Sequence, residues 1–189
     1  MQYSAAIVIG PIMALDRSTL WGVSLTSLTA LSLLVACAAG APAFPVSSSH
    51  TLLGQPLPDM HHGRTLGGGT LEVGEAPVVV KFFAGYCQPC KTTLPAAERV
   101  HEEYPDVQFV GVDEDESPET ARELARSYGL TFPVVHDEGN VLADRFGVSA
   151  MPATFMADAA GIIRWVGAAN QTEQELRQAV RASMTAASR

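Results

Sequence analysis

Apolar and polar positions change period several times along the chain. Val78-Val79-Val80-Lys81-Phe82-Phe83 is an almost unbroken apolar run of strand length. That is the pattern of a central strand covered on both faces. Leu94, Ala97, Val100 and Tyr104 then recur at helical spacing and predict a helix from about Gln88 to Tyr104. Pro105 stops it, and Pro95 inside it predicts a kink. Val107 to Val112 reads as the next strand. Ser117-Pro118 reads as N-cap and first helical residue of another helix, which Gly129 ends. Phe132 to His136 is a short strand, and Val141 to Phe146 a short helix ended by Gly147. Ala153–Ala157 and Ile162–Val166 form a hairpin around Asp158-Ala159-Ala160-Gly161. Thr172-Glu173-Gln174-Glu175 is a capping box opening a last helix. Alternating strands and helices predict a layered α/β domain. The glycine-rich stretch Leu57 to Val73 carries short apolar spots at Leu66 and Leu71-Val73 and predicts a small N-terminal hairpin.

The first fifty residues follow no such pattern. No Asp, Glu, Lys or Arg lies between Ser18 and Pro58, and Leu20 to Ala36 is apolar. The run ends at Leu34-Val35-Ala36-Cys37, which resembles a bacterial lipobox. In such a box the cysteine is lipidated and becomes residue one after cleavage. Each buried acyl CH₂ contributes about 0.8 kcal/mol, so several chains on one cysteine hold a soluble domain at a bilayer. This reading makes 1–37 a signal peptide with Cys37 as the lipidation site, 38–51 a flexible linker and 52–189 the folded domain. Three other readings fit the same run. Ala41-Pro42-Ala43 could be a cleavage site that releases a soluble protein. The run could stay as an uncleaved anchor, since about 20 apolar residues span a bilayer. Cys37 could also be incidental. Met1 to Ile12 carry no positive charge, although an export leader should, and Met13 offers an alternative start.

The 189 residues carry a net charge of −8, which argues against nucleic acid as a partner. Three cysteines do not make a disulfide framework. Cys87-Gln88-Pro89-Cys90 places two thiols at the exit of the apolar strand and the start of a helix. At that spacing they can meet, and unpaired amides at the helix terminus acidify the first. The pair could also be half of a zinc site, with His61 and His62 supplying the other ligands; no second Cys-x-x-Cys exists. His61, His62 and His136 read as solvent-facing or hydrogen-bonded residues, and Asp113-Glu114-Asp115-Glu116 as a solvated loop.

The stretch Phe82-Phe83-Ala84-Gly85-Tyr86-Cys87-Gln88-Pro89-Cys90-Lys91, with Pro95 and a distant Met151-Pro152, resembles the thioredoxin fold. The added segment Ser117 to Asp137, notably Ser127 to Val135, is similar to its TlpA/ResA-like branch of membrane-tethered, extracytoplasmic thiol–disulfide oxidoreductases. The resemblance covers roughly Gln55 to Val180. It implies a three-layer α/β fold with a mixed central sheet, an inserted helix–strand segment and the N-terminal hairpin. It implies Cys87 as nucleophile and Cys90 as buried resolving thiol. Pro152, if cis, cannot donate, so the backbone at Met151 can pair with an extended substrate segment. Tyr86 and Pro89 beside the pair complete the substrate contacts. No cofactor is implied, because the redox equivalents sit on the two cysteines. The implied partners are protein thiols and disulfides, and a membrane electron donor if the protein reduces. The implied compartment is the periplasm or the envelope surface.

The chain departs from the family at two positions. Thioredoxins carry a buried Asp, and this branch often Asn, where Lys81 stands. Branch members tied to cytochrome c biogenesis often carry Glu where Thr93 stands. Lys81 is expected to pair with Asp113 and stabilise the Cys87 thiolate, or else to snorkel to the strand edge. A peroxiredoxin-like peroxidase would show Pro and Thr where Val80 and Ala84 stand. A copper-binding module of this fold would space its cysteines by three residues and add a histidine, for which His136 is the candidate.

Overall fold

The computed structural model describes residues 44–45, 47–61, 64–67, 71 and 73–187. Cys37, the apolar run before it, Ala41–Ala43 and His62 lie outside the described residues, and with them the leader and lipidation assignments. Among the described residues no helix is long and apolar enough to cross a membrane.

The strands are β1 (Arg64–Thr65), β2 (Val78–Phe83), β3 (Gln108–Asp113), β4 (Val134–His136), β5 (Ala153–Ala157) and β6 (Ile163–Gly167). The helices are α1 (Cys90–Glu103), α2 (Pro118–Ser127), α3 (Val141–Phe146) and α4 (Glu173–Ala187). The sheet runs β1-β4-β3-β2-β5-β6. β2, β3 and β4 are parallel; β5, β6 and β1 pair antiparallel with their neighbours, so the sheet is mixed.

All six residues of β2 are buried, as a two-sided strand requires. Alternation divides them between two cores. Val79 and Phe83 join Leu94, Ala97 and Val100 of α1, Leu176 and Val180 of α4, and Trp165. Leu124 and Ala125 of α2 pack against that same cluster. Val78, Val80 and Phe82 join Leu142 and Phe146 of α3 on the opposite face. There Phe82, Phe146 and Phe155 meet with ring centroids 5.0 to 5.8 Å apart. Burial of each such ring contributes about 1.5–3 kcal/mol, and tilted contacts add roughly 0.5–1.5.

The helix ends follow from local chemistry. Ser117 Oγ accepts from the N–H of Glu119, with Pro118 in the first turn, where its missing N–H costs nothing. Thr172 and Glu175 exchange the two bonds of a capping box. Gly129 and Gly147 lie at positive φ just past α2 and α3, a conformation that strains other residues. α1 continues through Pro95. Its Glu98 is buried and accepts from the backbone N–H and hydroxyl of Thr131, fixing the helix to the loop before β4.

Three expectations need correction. The described part of Leu57 to Val73 holds no hairpin: the two-residue β1 pairs with the far strand β4, and Pro56 bridges Ile162. A glycine-rich segment without alternation specifies no partner of its own. The domain's contacts begin ahead of Leu52, inside the stretch read as a linker. The Ser48 N–H donates to Val166 O at 2.8 Å, Ser47 Oγ accepts from the Val166 N–H at 2.7 Å, and the His50 ring lies edge-on to Phe155. Finally, Asp113 is not in a solvated loop but ends β3, fully buried.

A buried Asp137 anchors α3 by accepting from the N–H groups of Leu142 and Ala143 at 2.9 and 2.8 Å. Asp137→Ala should therefore cost about 1–2 kcal/mol, read from the urea midpoint of the oxidised protein. An unchanged midpoint rejects the anchoring role.

Candidate active site

β2 ends at Phe83, and the chain turns tightly over Ala84 to Cys87, where the Cys87 N–H donates to Ala84 O at 3.1 Å. The Gly85 N–H donates to Asp115 Oδ2 at 2.8 Å, which ties this turn to the loop after β3. Pro89 occupies the N-cap of α1 with φ −63°, near the value its ring imposes. Cys90 is then the first helical residue. The helix thus starts two residues later than its periodicity suggests, and Cys87 precedes it.

Cys87 and Cys90 are joined by a disulfide. Both are buried, Cys90 the more completely. Cys87 reaches solvent only through its face on a pocket. The Cys90 N–H donates to Cys87 Sγ at 3.2 Å. That amide, which also donates to Cys87 O at 3.2 Å, opens the helix and would favour a negative charge on Cys87 once the disulfide opens.

A cavity of about 410 Å³ opens beside Cys87. Tyr86, Gln88 and Pro89 line it on the cysteine side, Val148 to Met151 on the other, and Glu114 at a third edge. The Met151–Pro152 peptide is cis, and Met151 packs against the cluster that holds both cysteines. Tyr86 is well exposed. Partial burial and then the charges of Glu114, Asp115 and Asp113 raise its pKa. Cys87, Tyr86, Pro89 and Met151 thus line one cavity, with Cys90 bonded to Cys87 and Pro152 next to Met151.

Lys81 does not reach the edge. It is fully buried on the Val79–Phe83 face, and its Nζ donates to Thr154 Oγ1 at 3.3 Å. Among the described residues no carboxylate forms an ion pair with it. The expected pair with Asp113 fails on register: β3 places Gly111 opposite Lys81 and Asp113 opposite Phe83. Asp113 instead meets His136 Nδ1 at 3.1 Å and accepts from the Asp115 N–H at 3.3 Å. Burial lowers the Lys81 pKa to about 7. Burial, then the neighbouring Asp115 carboxyl, raises Asp113 to about 7 against the opposing contact with His136. Thr93 is buried one turn beyond Cys90, and its Oγ1 has no hydrogen-bond partner.

Glu114 is the site residue that the sequence reading misses. Burial, followed by repulsion from Asp137, Asp113 and Asp144, raises its pKa to about 7. The available signal was its place directly after a parallel strand adjoining β2, at the end of the sheet where α/β sites gather. His136 is hydrogen-bonded within the fold, and His61 pairs with Asp59. Among the described residues no group of three or more His, Cys, Asp or Glu side chains is arranged to hold a metal ion.

Residues 53–166 match the AhpC/TSA family. The thioredoxin-like protein YneN of Bacillus subtilis is 31% identical over 134 residues, covering 66% of this chain and 76% of its own. The thiol–disulfide oxidoreductase ResA of Halalkalibacterium halodurans is 30% identical over 118 residues, covering 60% of this chain and 67% of its own. Among solved structures, a secreted Mycobacterium tuberculosis disulfide oxidoreductase homologous to E. coli DsbE superposes with a TM-score of 0.59 at 25% identity. That match covers 64% of this chain and 93% of the other. With its three-layer mixed sheet and its buried Cys-x-x-Cys disulfide, the chain belongs to the AhpC/TSA family, as a thioredoxin-fold thiol–disulfide oxidoreductase.

Proposed function

We propose that this protein exchanges disulfides with protein substrates at the outer side of a membrane, to which Cys37 tethers it. The observation that carries the chemistry is the Cys90 N–H held on Cys87 Sγ at the wall of an open pocket. In the reductive direction the Cys87 thiolate attacks one sulfur of a substrate disulfide and expels the other as a thiolate, which takes up a proton. Cys90, deprotonated, then attacks Cys87 Sγ in the mixed disulfide. The second substrate thiol leaves, and the Cys87–Cys90 disulfide remains. Two electrons pass to the substrate, and the reverse sequence oxidises it. The Met151 backbone, next to a proline that has no N–H, offers an extended substrate segment a hydrogen-bonding edge. The two cysteines hold the electrons, so the cycle needs no bound cofactor. Net reduction requires a membrane electron donor.

The apolar run ending at Cys37 supports export and tethering, and the similar mycobacterial oxidoreductase is a secreted protein, which supports export. Lys81, on the Val79–Phe83 face of β2 that joins the cysteine cluster, enters the proposal as an electrostatic residue, without the Asp113 partner first expected.

Catalysed insulin reduction tests the central claim. Cys87→Ser should abolish it, and Cys90→Ala should accumulate protein mixed disulfides through Cys87. Retained turnover by Cys87→Ser, or tight stoichiometric metal binding without any reductase activity, overturns the reading. Cys37→Ala should move the protein from the membrane fraction to the soluble one, and its persistence in the membrane fraction rejects the lipid tether.

Lys81→Met should raise the Cys87 thiol pKa by removing a nearby positive charge, measured by thiolate absorbance; an unchanged value rejects the role. Stability carries a separate signature. The unfolded chain keeps the Lys81 proton up to its ordinary value of 10.5, and the folded chain only up to about 7. Between those values unfolding takes up a proton, so stability rises with pH. Denaturant midpoints of the oxidised wild type should climb across that window. The unfolding free energy of Lys81→Met should be higher at pH 7, by roughly 2–4 kcal/mol, and its midpoints flatter with pH.

A further inference from the structure

We propose that Glu114 makes this site selective for polypeptide disulfides flanked by a cationic side chain. The proposal rests on the disulfide-exchange reading above and names its substrate class.

Position comes first. Glu114 follows β3 directly, and its N–H donates to Phe83 O at 3.1 Å, at the last residue of β2. That bond fixes its backbone beside the turn that presents Cys87. Its side chain lines the same cavity as Cys87 and Met151. A segment lying along Met151 with its disulfide at Cys87 must pass it.

Satisfaction comes second. Glu114 Oε1 is shielded from solvent and has no hydrogen-bond partner. A desolvated acceptor without a donor is costly, and a carboxylate more so than a neutral group. A bound segment that brings an N–H donor to the Glu114 carboxylate from the cavity offsets the cost of holding that charge desolvated, and a charged donor offsets it most.

Sign comes third. The charged groups acting on Glu114 are Asp113 of β3, Asp137 after β4 and Asp144 of α3, all acidic. Asp115 lies on its own loop and is engaged with Gly85. His136 Nδ1 is held by Asp113, and the Lys81 ammonium by Thr154. Tyr86 at the rim is uncharged until well above neutral pH. Among the described residues no Lys or Arg forms an ion pair with Glu114. The counter-charge must come from outside. The same acidic surround repels substrates with acidic flanks, so discrimination operates in both directions. Because the carboxyl ionises near pH 7, the preference should strengthen as pH rises through neutrality.

The test uses the full-length reduced protein in detergent and three disulfide peptides of equal length. They differ only in the residues beside the cysteine: Lys, Gln or Glu. Hydroxyethyl disulfide serves as a small neutral substrate. The second-order rate constant for the Lys peptide should exceed that for the Gln peptide by about tenfold at pH 8. It should exceed that for the Glu peptide by more. The Lys-to-Gln ratio should fall toward one at pH 6, where Glu114 is mostly protonated, and should shrink as salt is added. In Glu114→Gln the ratio should be close to one at both pH values, with Glu114→Asp restoring part of it. A wild-type ratio near one, or a Glu114→Gln ratio equal to the wild-type ratio, overturns the proposal while leaving disulfide exchange intact. Failure to react with every disulfide, hydroxyethyl disulfide included, overturns the underlying reading and this proposal with it. Should Glu114→Gln fail to fold, the pH and salt dependence of the wild-type ratio decides alone: a ratio insensitive to both rejects the role.

Discussion

The double-sided burial of β2 is the constraint on which the rest depends. A six-residue strand with no face toward water must have a neighbour on each side and a layer above and below. β3 and β5 supply the first requirement, α1 with α4 and α3 the second. Once β2 is fixed, its end fixes Cys87, since only the turn at Ala84 to Cys87 separates them. β5 brings Pro152 alongside, because the register that sets Phe82 opposite Ala153 leaves Pro152 just beyond the pair. The site is therefore a consequence of strand pairing more than of any bond within the site.

That origin explains the site's unusual electrostatics. The strands that carry Cys87 and Pro152 also carry ionisable groups into the interior. Lys81 rides on the middle of β2 and Asp113 on the end of β3, with Glu114 just past it. Desolvation is the largest influence on each, and it moves them in opposite chemical senses: the lysine toward neutrality, the acids toward protonation. All three arrive near pH 7. The polypeptide around the cysteines thus holds exchangeable protons in the pH range where thiol chemistry runs.

Much of this was legible in the chain. The β2 run, the caps at Ser117 and Thr172 and the β5–β6 turn each depend on local chemistry, and each appears where the pattern places it. The misses share a physical cause, which is that register and edge pairing are tertiary. Lys81 and Asp113 looked like partners because both lie on neighbouring strands; the parallel register offsets them by two residues. Glu114 looked solvated because four acids in a row usually are, and nothing local indicates that the walls of the cavity enclose one of them. Leu57 to Val73 looked like a hairpin because a short segment shows its turns but not the strand it will join.

The N-terminal segment has a consequence for how these molecules coexist. β6 ends the sheet, and an open strand there would present a row of unpaired N–H and C=O groups. Ser47 and Ser48 occupy those of Val166, and Gly54 and Gln55 those of Ile163. At the other end β1 is only two residues long. Among the described residues neither border offers a template long enough for another chain to add to. Copies at high concentration can then crowd together without joining sheet to sheet, and the open pocket beside Cys87 remains available to an incoming polypeptide.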